Sequence, residues 1–259
     1  MDQQSSMPDL FDDPKQLIDE AKGHMPLIKE MVDDFIGDKN WTGSVDKDPD
    51  TGEYLLKINF KEPISKSIKI RIFDVAGYLR SALDQACYAS AVAIKGGEPS
   101  KTKFLFADKE KGLQDEISKG KCKDMHPDII DFIIRLKPYE TGNKPLWALN
   151  KIRNKNVHRL LEPTAVLSGG LGLNNGFFSG SMQAWNEWKP LKMELTFFKL
   201  SANTKMKAQI NPIIHVAFNS AFGFPSEPVS HSLDKLISEV ESIVVGIEAE
   251  TARIVQSAA

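Results

Sequence analysis

Ile68-Lys69-Ile70-Arg71-Ile72-Phe73-Asp74-Val75-Ala76-Gly77-Tyr78-Leu79-Arg80-Ser81-Ala82-Leu83-Asp84-Gln85 changes its period halfway along. Ile68, Ile70 and Ile72 alternate with Lys69 and Arg71, the two-residue rhythm of a short strand. From Asp74 the rhythm is helical. Val75, Leu79, Ala82, Leu83 and Ala86 make one stripe, Asp74 stands where an N-cap belongs, and Gly96-Gly97 stops the segment. Arg80 and Asp84 lie one turn apart on that helix and can pair across it.

Toward the C-terminus, residues 97–123 read as a lysine-rich connection with one short helix around Leu113 and Ile117. Pro127 opens a helix through Ile129, Ile130, Ile133 and Ile134 that stops near Pro138, and another runs from about Pro145 to Leu161. Ser168 to Ser181, rich in glycine and asparagine, reads as a mobile loop. Three alternating runs follow, through Leu191, Met193, Leu195 and Phe197, through Met206, Ala208 and Ile210, and through Ile214, Val216 and Phe218. A long amphipathic helix from about Leu233 to Ile254 closes the chain.

Toward the N-terminus, Trp41 to Phe60 reads as a hairpin turning at Asp48-Pro49-Asp50-Thr51-Gly52. Before it, Asp13-Pro14 starts a helix that Gly23 and Pro26 should kink or split. Helices interrupt the strands too irregularly for a doubly wound parallel sheet, so the expected class is α+β. One domain is expected over 1–259. It comprises an N-terminal helix and hairpin (1–66), a helical core (67–163), and a strand-rich part with the closing helix (164–259).

The chain has 259 residues and a net charge of −2, and 26% of its residues are charged. Near-neutrality argues against a general nucleic-acid coat, although a local basic patch remains open. Two cysteines are too few for a disulfide framework or a cysteine zinc site. The first residues form no signal peptide and no stretch is apolar enough to span a bilayer, so the expected location is the cytoplasm. There is no GxSxG elbow, HExxH pair or phosphate loop, and the five histidines are widely spaced. No metal and no cofactor is expected.

The chemistry concentrates in Asn150-Lys151-Ile152-Arg153-Asn154-Lys155-Asn156-Val157-His158-Arg159. On a helix Leu146, Leu149, Ile152 and Leu160 would face inward. Lys151, Asn154, Lys155, His158 and Glu162 would face out, with Arg153 and Arg159 beside His158. An imidazole titrating near neutrality can move protons, and adjacent guanidinium groups can offset phosphate charge. Spacing alone favours a solvated helix face.

Arg153-Asn154-Lys155-Asn156-Val157-His158 resembles the Arg-x4-6-His motif of HEPN-domain proteins, with the favoured polar residue directly after the arginine. That family consists of compact, often dimeric helical bundles. Many members are metal-independent ribonucleases of toxin–antitoxin or phage-defence systems. The resemblance implies a HEPN-like helical core and a homodimer. It implies RNA as substrate or ligand, a protein partner such as an antitoxin, and catalytic roles for Arg153 and His158 supported by Asn154. Asp74 through Gln85, Leu136-Lys137-Pro138-Tyr139 and Asn154 through Arg159 also resemble landmarks of a group of uncharacterised bacterial proteins. That group places Arg159 beside Asn154 and His158, and Arg80 and Asp84 in support. The expected activity is metal-independent RNA cleavage, and the alternative is a non-catalytic protein- or RNA-binding module.

Overall fold

The computed structural model describes residues 10–37, 39–156, 164–218, 224 and 226–258. Among these the architecture is a mixed α+β fold. An N-terminal helix and hairpin lead into a helical middle, then several strands, then a long last helix.

Helix α1 (Asp12–Ile36) buries Ile18, Ala21, Met25, Ile28, Val32 and Phe35 at three-to-four spacing. Asp12 and Asp13 lie in its first turn, where carboxylates suit the positive end of the helix dipole. The helix begins at Asp12, one residue before the expected start, and it runs through Gly23 and Pro26 unbroken. Pro26 sits on the exposed face, where water can take the carbonyl it leaves unbonded, while Met25 and Ile28 anchor the buried face.

The hairpin forms as expected, with β1 (Trp41–Lys47) antiparallel to β2 (Tyr54–Phe60) in unbroken register from Trp41↔Phe60 to Lys47↔Tyr54. Asp48 Oδ1 accepts the Asp50 and Thr51 amides at 2.9 and 3.2 Å, and Gly52 takes the left-handed φ of +71° that closes the turn.

Ile68, Ile70 and Ile72 do not form a strand. They open helix α2 (Lys66–Lys95), capped by Ser65, whose Oγ accepts the Ile68 amide at 3.2 Å. Ile68 and Ile72, one turn apart, are buried, and Ile70 points to solvent. An i, i+2, i+4 apolar triplet satisfies both periods, and here the cap decides. Asp74 is therefore inside α2 rather than its N-cap. The helix ends where expected, with Gly96 at φ +72°.

Short helices α3 (Glu110–Ser118) and α4 (Pro127–Arg135) lead to α5 (Lys144–Asn156). The expected continuation of α5 through Leu160 and Leu161 lies outside the described residues. Ser168 to Ser181 is not a loop for most of its length. β3 (Thr164–Ser179) pairs antiparallel with β6 (Lys205–Phe218), which joins into one strand the two runs read separately.

β4 (Met182–Lys189), which no alternation announced, and β5 (Glu194–Leu200) complete a four-stranded antiparallel sheet of order β1-β2-β5-β4. Leu191 is not in a strand. It lies fully exposed in the 3-10 turn Pro190–Lys192. Helix α6 (Val229–Ala258) packs on α1 and α2, and the buried side chains of helices and sheet form one continuous apolar cluster. Lys15–Glu248 (2.8 Å), Lys22–Glu241 (2.6 Å) and Lys29–Asp234 (3.1 Å) bridge α1 to α6, which run antiparallel.

Candidate functional site

Helix α5 is set from its N-terminus. Asn143 Oδ1 accepts the Leu146 amide at 3.1 Å, the Asn143 carbonyl accepts the Trp147 amide at 3.0 Å, and Asn143 Nδ2 donates to Glu239 of α6. The preceding turn folds over Lys137, a non-glycine residue at φ +53°, whose carbonyl accepts the amides of Tyr139 and Asn143. A Cβ at Gly142 would lie 2.5 Å from that carbonyl oxygen, so only glycine fits there. Leu146, Leu149 and Ile152 are buried, and α5 packs on α2 as their apolar stripes imply.

The segment from Phe104 to Asp108, in neither helix nor strand, bridges these two helices. On α2, Asp84 Oδ1 accepts the Phe104 amide at 2.9 Å, and Arg80 Nη2 lies 3.4 Å from the Phe104 carbonyl. Arg80 and Asp84 pair as expected, with Nη1 2.6 Å from Oδ1. Nη1 is buried and gains no aligned hydrogen bond, so charge rather than hydrogen-bond geometry holds that contact. The Arg80 guanidinium also stacks 4.4 Å from the centre of the Phe106 ring.

At the other end of the segment, Asp108 Oδ1 accepts the indole N–H of Trp147 at 3.1 Å and lies 2.8 Å from Lys151 Nζ. The Lys151 ammonium, and then the Trp147 indole, hold the Asp108 carboxyl below its ordinary range. Lys151 stands 5.2 Å from the centre of the Trp147 ring.

Of the residues the sequence proposes, Arg80 and Asp84 come together as a clamp on Phe104, and Arg153 is exposed on α5. Asn154 belongs to α5. His158 and Arg159 lie outside the described residues. Sequence reasoning missed Asp108, which sits 39 positions from Trp147 and in no motif. The one available signal was the indole of Trp147 on a helix with an apolar stripe, since a buried indole N–H requires an acceptor.

Three of the four described histidines make local contacts. His126 Nδ1 caps α4 by accepting the Asp128 amide, and His231 lies 3.6 Å from Glu227. His24 packs against Tyr78. Among the described residues, no group of three histidine, cysteine or carboxylate side chains is placed to hold a metal ion. No described helix is long and apolar enough to cross a membrane.

The chain matches no family model, no curated protein and no solved structure.

Proposed function

We propose that this protein cleaves single-stranded RNA without a metal ion, through a HEPN-like site on and beyond α5. The observation that carries the reading is the orientation of α5. It buries Leu146, Leu149 and Ile152 against the core and presents Arg153 to solvent, as a guanidinium that must meet an external polyanion requires. In this reading 67–163 is the HEPN-like core and the protein acts in the cytoplasm as a homodimer, with a toxin–antitoxin or phage-defence role.

His158 takes the proton of the 2′-hydroxyl as that oxygen attacks the adjacent phosphorus, and the imidazolium so formed gives a proton to the 5′-oxygen as the P–O5′ bond breaks. Arg153 or Arg159 offsets the charge on the phosphorane, and Asn154 orients the pair. Arg80 and Asp84 act at a distance, as positioning residues. They fix Phe104 and Phe106, and so place Asp108 against α5.

RNA cleavage in excess EDTA tests this. Wild type should cut RNA and spare DNA, which lacks the attacking hydroxyl. His158→Ala should lose about 10²–10⁴ in rate with an unchanged circular dichroism spectrum. Arg153→Ala and Arg159→Ala separate the two guanidinium groups. A wild type inactive under all conditions, or an EDTA-sensitive activity that His158→Ala retains, overturns the proposal.

A second reading, a non-catalytic protein- or RNA-binding module, is favoured by one observation. Asp108 and Asp84 neutralise Lys151 and Arg80, which leaves a sparse cationic surface for transition-state work. Saturable RNA or partner binding with no cleavage would establish that reading instead.

A further inference from the structure

The sheet of order β1-β2-β5-β4 has two outer strands, and they are built differently. β4 is broken by a register shift between Ala184 and Glu187, with Asn186 at φ +54°. Such a bulge twists an edge away from further pairing. The β3–β6 ribbon has two register shifts in its pairing, and β6 contains Pro212, which has no amide to donate. β1 has neither defect. Its seven residues keep unbroken register with β2, and it contains no proline.

The ladder fixes which groups of β1 remain available. Lys61 N–H donates to the Asn40 carbonyl, and Asp48 N–H donates to the Glu53 carbonyl, each at 2.8 Å. The even-numbered residues of β1 therefore exchange hydrogen bonds with β2. Trp41, Gly43, Val45 and Lys47 turn their N–H and C=O groups to the outer edge, along which no described strand pairs.

The side chains of those same odd residues share a face with Leu56 and Ile58, which are buried, yet Val45 is 49% exposed. Beside it lies a depression of about 290 Å³ bounded by Trp41, Gly43, Val45, Leu56, Phe197 and Pro212. A Cβ at Gly43 would meet only the Lys57 carbonyl, at 4.0 Å, so space stands open over the glycine.

We infer that two copies of this chain pair β1 to β1, antiparallel, about a two-fold axis at Ser44. This register uses every outward-facing amide and carbonyl of both strands. It sets Val45 of one protomer against the gap over Gly43 of its partner, twice by symmetry. Lys47 falls opposite Trp41, where an ammonium suits an aromatic face, and Asp46 falls opposite Thr42, so no like charges meet. Centring the pair on Gly43 or Val45 instead shortens the overlap and opposes Gly43 to Gly43 or Val45 to Val45. The occupant is thus a second copy, because the strand is complementary to itself. The result is one continuous sheet through both protomers. The inference does not depend on RNA chemistry.

Light scattering across a concentration series, with three variants, tests it. Wild type should double in mass by roughly tens of micromolar, the range of a weak dimer. Val45→Pro removes an outward amide but no bond to β2, so it should leave the circular dichroism and melting temperature unchanged and weaken dimerisation by about tenfold or more. Ser44→Cys places two thiols in a facing pair about 4.5–5.5 Å apart at Cβ. It should cross-link to a dimer under mild oxidation, whereas Asp46→Cys should not.

Cys87 and Cys122 are buried, so the native thiols give little background. A wild type monomeric throughout overturns the inference. So does a dimer that Val45→Pro leaves intact, which would place the contact elsewhere and keep the homodimer of the RNA-cleavage reading alive. A dimer in which Ser44→Cys fails to cross-link overturns the register.

Discussion

Lys22 and Glu241 stand 2.6 Å apart as the middle rung of a three-rung ladder between α1 and α6, with Lys15–Glu248 on one side and Lys29–Asp234 on the other. Each step is seven residues on both helices. Seven residues bring a helix back almost to the same side, so all three lysines lie on one seam. The ammonium of Lys22 is pushed above its ordinary pKa, chiefly by its hydrogen bond to Glu241.

Both partners of that rung are more than a third exposed, so its worth is small. In a urea double-mutant cycle, Lys22→Ala and Glu241→Ala should show a coupling of about 0.2–1 kcal/mol that shrinks in high salt. Lys22→Glu should destabilise, and adding Glu241→Lys should restore most of the loss. A coupling that salt leaves unchanged would mean the pair acts through packing.

Asp84 carries more consequence, because the amide it accepts belongs to buried Phe104. Asp84→Ala should cost about 1–3 kcal/mol, the range for a buried donor left without its acceptor. It should also speed hydrogen exchange at the Phe104 amide. Asp84→Asn keeps an acceptor oxygen and should lose less. Equal losses in the two variants would assign the effect to charge alone.

Asp108 offers a test of the electrostatics beside α5. Asp108→Asn removes the carboxylate that neutralises Lys151, while the amide oxygen can still accept the Trp147 indole. Under the RNA-cleavage reading, RNA should bind more tightly. The slope of log affinity against log salt should steepen by about 0.7, one further phosphate contact on a single strand. A fluorescence titration at four salt concentrations reads both quantities. An unchanged slope would place RNA away from Lys151.

What could be read in the sequence was whatever a single segment decides for itself. The α5 stripe of Leu146, Leu149 and Ile152, the hairpin turn at Asp48 to Gly52 and the glycine stop after Lys95 each rest on local rules, and each holds. What escaped depends on a distant partner. The glycine- and asparagine-rich β3 has no apolar rhythm, but main-chain hydrogen bonds need none, and its partner β6 begins at Lys205. Ile68 to Ile72 suited two periods, and the cap at Ser65 chose the helix.

The candidate site divides in the same way. Arg80 and Asp84, one turn apart, were readable as a pair. Their grip on Phe104 was not, because nothing local brings a segment 20 residues downstream back to α2. Arg153 on an exposed face follows from helical spacing, and Asp108 beside α5 follows from tertiary contact alone.

His215 gives a pH signature. It stands in β6 opposite Leu167, its Nε2 is buried without a partner among the described residues, and burial lowers its pKa below the ordinary 6.5 despite the Ser226 backbone. Between the folded and unfolded values the unfolded chain binds more protons, so stability rises with pH across that window. Stability should be fully present above about pH 6.5 and fall as the pH drops toward the folded value. His215→Gln should flatten that slope in melts from pH 7 to 5. An unchanged slope would move the acid sensitivity to another group.

The pairing of α1 with α6 also fixes when this molecule can finish folding. The Lys15–Glu248 rung closes a loop of 233 residues, and the apolar faces of α1 and α2 cannot be fully covered until α6 has been synthesised. During translation the nascent chain exposes that bare hydrophobic stripe for many seconds, at the usual pace of about 5–20 residues per second. Such long-range closure slows folding and leaves the incomplete chain prone to aggregate.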